Sequence, residues 1–167
     1  MRVRPATLTD AGELLTLQLA TLAGDAPTSV DPLVPPLQEG VAGVERVVSD
    51  PSRTVLTAEA TAAGPYGRSG RLVGAAQLRL GAAATPDVGQ VGQVVVAPDV
   101  QGLGLGSLLL RALHGAAAHA QGVRRLELCT SADSERNLEF YRKHGYVDAA
   151  VRTDERGARL QLMRRPV

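Results

Sequence analysis

Aromatic residues are scarce in this chain: three tyrosines, one phenylalanine and no tryptophan among 167 residues. The core must therefore be mainly Leu, Val and Ala, and stacking on bases or sugars is a disfavoured mode of recognition. Cysteine occurs once, at Cys129, which excludes an intrachain disulfide and a cysteine-rich zinc site. Lysine also occurs once, at Lys143. Neither sign of charge dominates, with 18 Lys and Arg against 17 Asp and Glu, mixed along the sequence. Nothing in that balance points to nucleic acid or an anionic membrane as partner. The pairs Arg124-Arg125 and Arg164-Arg165 read as solvated strand ends. No window approaches the roughly 18 apolar residues of a membrane span. The opening MRVRPATLTD lacks the apolar stretch of a signal peptide, so a cytoplasmic location is expected.

What remains is ordinary globular composition, 44% hydrophobic and 21% charged in 17.4 kDa, expected to form one domain over 1–167. Met1 to Ala6 alternates as a short strand. Thr9 reads as an N-cap with Asp10 in the first turn of a helix running to about Ala23. GDAPTSVDPLVPP, Gly24 to Pro36, is a long loop of the kind that often carries function. Valines at helical spacing predict a second helix over Leu37 to Ser49. Strands are expected over Arg53–Glu59, Arg71–Leu80 and Val88–Val96, with turns at TAAGPYGRSG and at Gly81 to Asp87. The strongest helix is Leu103 to Ala120, in which Leu105, Leu108, Leu109, Ala112, Leu113, Ala116 and Ala117 share one side. Arg124–Thr130 follows as a strand, Ser134–His144 as a helix stopped by Gly145, and Val147–Arg152 and Arg159–Met163 as a final hairpin. The expected order is β-α-α-β-β-β-α-β-α-β-β.

Gly102, Gly104 and Gly106 fall where a β-branched strand gives way to that strongest helix. Glycine costs about 1 kcal/mol relative to alanine inside a helix, so three of them need a reason. A helix's first turn leaves N–H groups unpaired, and their partial charge favours an anion such as phosphate. Glycine lets the backbone approach that anion without a Cβ in the way. A Walker loop would need a lysine before Ser107, and none is there. A dinucleotide fingerprint would read G-x-G-x-x-G near a βαβ start, whereas this turn reads G-x-G-x-G after several strands. A ligand-free turn would carry the entropy cost of the glycines with no return.

The stretch Val96-Ala97-Pro98-Asp99-Val100-Gln101-Gly102-Leu103-Gly104-Leu105-Gly106-Ser107 resembles the acetyl-CoA-binding motif of the GNAT superfamily of N-acetyltransferases, V-x-P-x-x-(Q/R)-G-x-G-x-(G/A). Downstream, Phe140-Tyr141-Arg142-Lys143-His144-Gly145-Tyr146 resembles that family's F-Y-x-x-x-G-(F/Y) segment. The resemblance implies an α/β fold with a mixed, mostly antiparallel sheet of about seven strands flanked by about four helices. It implies acetyl transfer from acetyl-CoA, as co-substrate and with no metal, to a primary amine of a small molecule or peptide by direct attack. The strand Val94, Val95 and Val96 would offer main-chain groups to the pantetheine arm. The motif from Gln101 onward, through the N–H groups of Gly102, Leu103, Gly104, Leu105, Gly106 and Ser107, would hold the pyrophosphate. Tyr141 would stand near the thioester sulfur as general acid. Where relatives often have an asparagine contacting the CoA arm, this chain has Ser134, with Asn137 three residues later, and both stay candidates. A CoA-binding regulatory protein without catalysis is the alternative, and a homodimer is left open.

The general base is less defined. The strand Val88 to Val94 has Gln90 and Gln93 but no carboxylate; Glu127 on the next strand is the acidic candidate, and ordered water is an equal one. His114 and His119 are five residues apart, about 500° around a helix, so they form no zinc pair and read as surface residues. His144 reads as a helix C-terminal cap and Cys129 as a small buried hydrophobe. Asp25, Asp31 and Glu39, near the first loop, are candidates to attract a cationic amine.

Overall fold

Seven strands and four helices form among the residues that the computed structural model describes, which are 1–22, 40–81, 85–154 and 157–167. In chain order they are β1 (Arg2–Pro5), α1 (Ala11–Leu22), α2 (Gly40–Ser49), β2 (Arg53–Glu59), β3 (Leu72–Arg79), β4 (Val88–Val96), α3 (Leu105–His119), β5 (Arg125–Ser131), α4 (Glu135–Lys143), β6 (Val147–Thr153) and β7 (Arg159–Pro166). The alternation is the expected one. One sheet holds all seven strands in the order β1-β2-β3-β4-β5-β7-β6. Only the β4–β5 pair is parallel. No described helix is long and apolar enough to cross a membrane.

Element boundaries moved where local hydrogen bonding outweighed periodicity. The first helix is preceded by a 3-10 turn, Leu8–Asp10, so the extended chain ends at Thr7 and not at Thr9. The cause is Asp10, whose Oδ2 accepts from the Thr7 N–H at 2.7 Å. Arg4 donates to both Asp10 oxygens, at 2.7 and 2.9 Å, and to Glu59 at 2.7 Å, tying β1, β2 and the first turn together. The strongest helix begins at Leu105 and not at Leu103, because Gly102 and Gly104 have φ of 80° and 81° and cannot be helical. Residues 37–39 of the expected second helix, and the loop carrying Asp25, Asp31 and Glu39, lie outside the described residues.

Helices α1 and α2 lie together over β2, β3 and β4, and α3 covers the same strands from the other face. Glycines in the strands admit neighbouring leucines closely, Gly74 that of α3. A Cβ on Gly74 of β3 would stand 2.8 Å from Leu109 of α3, and one on Gly89 of β4 would stand 2.7 Å from Leu126 of β5. Leu105, Leu109, Leu110, Leu113 and Ala117 form the buried side of α3, with Leu110 in the core where Leu108 was expected. Burial of such leucines is worth about 1.5–3 kcal/mol each.

The Arg4 hydrogen bonds hold the Asp10 carboxyl down to about 2, below its ordinary 3.8. That stabilisation is complete above the ordinary value and is lost as pH falls toward the folded value. Asp10→Asn should therefore cost ~1–3 kcal/mol at neutral pH. In urea titrations its deficit against wild type should shrink below about pH 4. A deficit that stays constant into the acid range would show that Arg4 and Asp10 are not coupled as described.

Candidate active site

The sheet parts at its one parallel seam. β4 and β5 pair only at Val88 with Arg125, Gly89 with Leu126 and Gln90 with Glu127. Beyond Gln90, β4 stays on β3 as far as Val96, while β5 stays on β7 as far as Ser131. A β-bulge accompanies the divergence: the register runs from Gln77 opposite Gly92 to Ala75 opposite Val95, so β4 carries one extra residue. Within it Gln93 adopts φ 49°, unusual for a residue other than glycine, and its Oε1 accepts from Gln18 of α1 at 3.3 Å. A bulge increases local twist, which turns the end of β4 away from its neighbour.

The glycine turn sits at the end of the parted strand. A 3-10 turn, Pro98–Val100, reverses the chain after Val96. Arg71 holds it in place through a two-pronged contact to Asp99 at 2.7 and 2.8 Å. Gln101 donates its Nε2 proton to the Val96 carbonyl at 3.1 Å and so fastens the turn to the strand. Gly102 and Gly104 then take left-handed conformations. The ladder of α3 starts with Leu108 N–H to Gly104 O at 3.1 Å, and Gly104 gives no side-chain cap. The N–H groups of Leu105, Gly106 and Ser107 therefore precede the first rung of the ladder, as a helix's first turn requires. In α4 the same position is capped, because Ser134 Oγ accepts from Asn137 N–H at 3.4 Å.

Helix α4 forms the facing wall. Thr21, Val94, Val96, Gln101, Gly102, Gly104, Leu105, Gly106, Ser107, Arg136, Asn137, Phe140 and Tyr141 line a cleft of about 330 Å³. Ten of the thirteen residues singled out from the sequence are thus brought together. Val95 turns into the core, Leu103 stands half-exposed beside the cleft, and Ser134 is occupied as the cap of α4. Asn137 faces the cleft and donates to Thr130 Oγ1 at 3.4 Å. Tyr141 is 4% exposed, packed edge-on against Phe140 (5.1 Å between centroids) and Tyr146 (5.8 Å). Gly106 makes room for this wall, since a Cβ there would lie 3.3 Å from the Phe140 ring. Sequence reasoning missed Thr21, Arg136 and the Phe140 ring as cleft residues; the i, i+4 spacing of Arg136 with Phe140 and of Asn137 with Tyr141 was the available signal.

Other expectations need correction. His114 is not a surface residue. Arg165 Nη1 donates to its Nδ1 at 2.7 Å, so Nε2 carries the proton and points it at the Tyr146 hydroxyl, 3.1 Å away. The Arg164-Arg165 pair is accordingly not simply solvated, because Arg164 also binds Glu127 at 2.8 Å. Glu127 takes a second guanidinium, Arg125, on the same oxygen at 3.2 Å, which commits it to an ion-pair cluster. Cys129 is only partly buried. His144 caps α4 as expected, through Nδ1 and the Phe140 carbonyl at 2.7 Å.

A mixed, mostly antiparallel sheet parted at one parallel seam, with a glycine turn and a facing helix lining a cleft, defines the architecture of this α/β domain. The model of the acetyltransferase (GNAT) family matches residues 38–146, well over half of the sequence, and the chain belongs to that family. Solved structures share the fold across nearly the whole length. A ribosomal-protein-alanine N-acetyltransferase from Brucella melitensis is 22% identical, with a TM-score of 0.76 and 100% of both chains covered. A GNAT-family acetyltransferase from Streptococcus pneumoniae is 21% identical, with a TM-score of 0.76 over 99% of this chain and 98% of its own. A spermidine N-acetyltransferase variant from Vibrio cholerae is 13% identical, with a TM-score of 0.74 over 99% and 95%. At these identities the likeness is one of fold. A search of curated proteins found no match.

Burial, then the charges of Arg165 and His144, push the His114 imidazole down to about 4 from its ordinary 6.5. A neutral ring stabilises the fold fully above the ordinary value, and that contribution is lost as pH falls toward about 4. Wild-type Tm should decline across this window, and His114→Gln should flatten the decline. Parallel Tm curves for the two proteins would show that His114 is not the titrating group.

Proposed function

We propose that the protein transfers an acetyl group from acetyl-CoA to a primary amine of a small molecule or peptide by direct attack. The observation that carries this reading is that one cleft joins the uncapped first turn of α3 to Tyr141. The amides from Gly102 to Ser107 fit a diphosphate, which favours a helix N-terminus and a concave run of N–H groups. The edge of β4 from Val94 to Val96, left without a partner strand beyond the seam, fits an extended amide-bearing arm. Asn137 faces the same space and is the better placed of the two arm candidates. Bound acetyl-CoA would supply an activated thioester carbonyl.

An alkyl amine has a pKa near about 10 and must lose a proton before it can attack. Among the described residues the cleft lining has no carboxylate, and Glu127 is committed to Arg125 and Arg164. The proton is therefore taken up by ordered water in the cleft, with no dedicated carboxylate base among the described lining residues. The departing thiolate takes its proton from Tyr141, whose phenol is held in place by packing against Phe140 and Tyr146. Two structural neighbours are named for ribosomal-protein alanine and for spermidine, both amine-bearing.

The direct test is thiol release from acetyl-CoA across a broad amine panel. Turnover on at least one amine is expected; tight CoA binding with no turnover on any would favour a regulatory CoA-binding role. Gly104→Val meets no protein atom within 4 Å, so only its positive φ and the ligand oppose it. It should weaken CoA binding by at least about tenfold in calorimetry, and unchanged affinity would defeat the loop assignment. Tyr141→Phe should lower kcat by about 100-fold or more with little change in CoA affinity. Wild-type turnover in that variant would remove Tyr141 as the acid.

A further inference from the structure

Among the described residues that line the cleft, Arg136 alone carries a charge. It follows Glu135 at the start of α4, and with Asn137, Phe140 and Tyr141 it forms the helix side that faces the glycine turn. Nothing in α4 itself explains a cation there. The first turn of a helix is the end where the macrodipole disfavours positive charge. The acids that could neutralise Arg136 are already taken: Glu135 lies 2.7 Å from Arg142, and Glu139 lies 3.7 Å from Lys143. Among the described residues Arg136 has no ion pair or hydrogen bond of its own, and it is exposed to solvent.

The opposite wall has the complementary deficit. From Gln101 to Ser107 the turn contains no charged residue. Its amides offer only partial charges, whose effect fades within a turn. A diphosphate bound there would meet hydrogen-bond donors but no counter-ion from the loop. Resting on the function proposed above, we propose that Arg136 provides the full positive charge for the donor's phosphates from across the cleft. It thereby makes the site select a phosphate-bearing acyl carrier over a bare pantetheine thioester. Guanidinium is suited to this role because its planar fork matches phosphate oxygens and stays charged at any working pH.

The test compares wild type, Arg136→Gln and Arg136→Lys. Calorimetry at low salt should show CoA dissociation constants about tenfold higher for Arg136→Gln, with partial recovery in Arg136→Lys. The difference should narrow as salt rises, because an exposed charge is screened. Turnover of S-acetyl-pantetheine, which has the thioester arm and no phosphate, should be the same in all three. Unchanged CoA affinity in Arg136→Gln overturns the assignment. An equal loss with S-acetyl-pantetheine overturns it too, because the effect would then be one of local structure. Wild type that binds no CoA defeats the proposed function and this inference together, whereas wild-type binding with an indifferent Arg136→Gln defeats the inference alone.

Discussion

Everything at the site depends on β4 and β5 parting after three rungs of parallel pairing. Backbone groups in a sheet interior must be paired, so a seam that opens is tolerated only where something else meets them or where solvent and ligand reach them. The two arms stay intact because each is held on its far side, β4 by β3 on both sides of the bulge and β5 by β7 from Arg125 to Ser131. The gap is spanned from above by α3, which rests its leucines on β2, β3 and β4 and reaches the other arm through His114. The link from His114 to Tyr146 and Arg165 therefore does mechanical work. It joins the helix that carries the glycine turn to the end of β7 and the exit of α4, with Arg165 also donating to the His144 carbonyl at 3.1 Å. The neutral imidazole is what allows this, since it accepts at Nδ1 and donates at Nε2 at once.

The scarcity of aromatic residues gains a meaning from their placement. Phe140, Tyr141 and Tyr146 are three of the four in the chain, and all lie in or against the α4 wall of the cleft. Elsewhere the buried core is aliphatic, and β3 places Gly74 directly under Leu109 of α3. Small residues in the sheet bring the helix close; rigid rings on α4 then fix the opposite wall with few rotatable bonds. One wall is thus positioned by backbone proximity and the other by ring packing. Gly106 is where the two meet, with the Phe140 ring in the space that a side chain would occupy.

Much of this was legible in the sequence, and the limits follow from the range of the interactions. Period-2 and period-3.6 patterns located the elements that bury one face, because that burial is a local signal, whereas β6, exposed along its length, was set off by the glycines on either side of it. The glycine turn and the Phe140–Tyr146 segment were readable because backbone conformation and close approach demand particular residues at fixed spacing. His114 was misread because its partners, Tyr146 and Arg165, are 32 and 51 residues away, and no periodicity encodes that meeting. Val95 was named for its main-chain groups, and its side chain turns into the core as strand alternation with Val94 and Val96 requires. Thr7 displaced Thr9 as the helix boundary because a single carboxylate, Asp10, was claimed by Arg4 and the Thr7 N–H together.

The two kinds of charge at the cleft have different reach. Unpaired amides act at contact distance and are fixed in the backbone; they set where an anion rests and in which orientation. A guanidinium on an exposed side chain acts over a Debye length, roughly 10 Å at moderate salt, and is screened as salt rises. A turn built from glycine, leucine and serine therefore gives geometry without attraction at a distance. In a chain with a single lysine and a net charge of +1, there is no general positive field to supply that attraction. Three other arginines of the surrounding elements are spent on structure: Arg71 holds Asp99 beneath the turn, Arg142 joins Glu135 to Asp148, and Arg165 serves His114. Division of labour between fixed dipoles on α3 and one unspent cation on α4 is the arrangement that gives this cleft both capture and register.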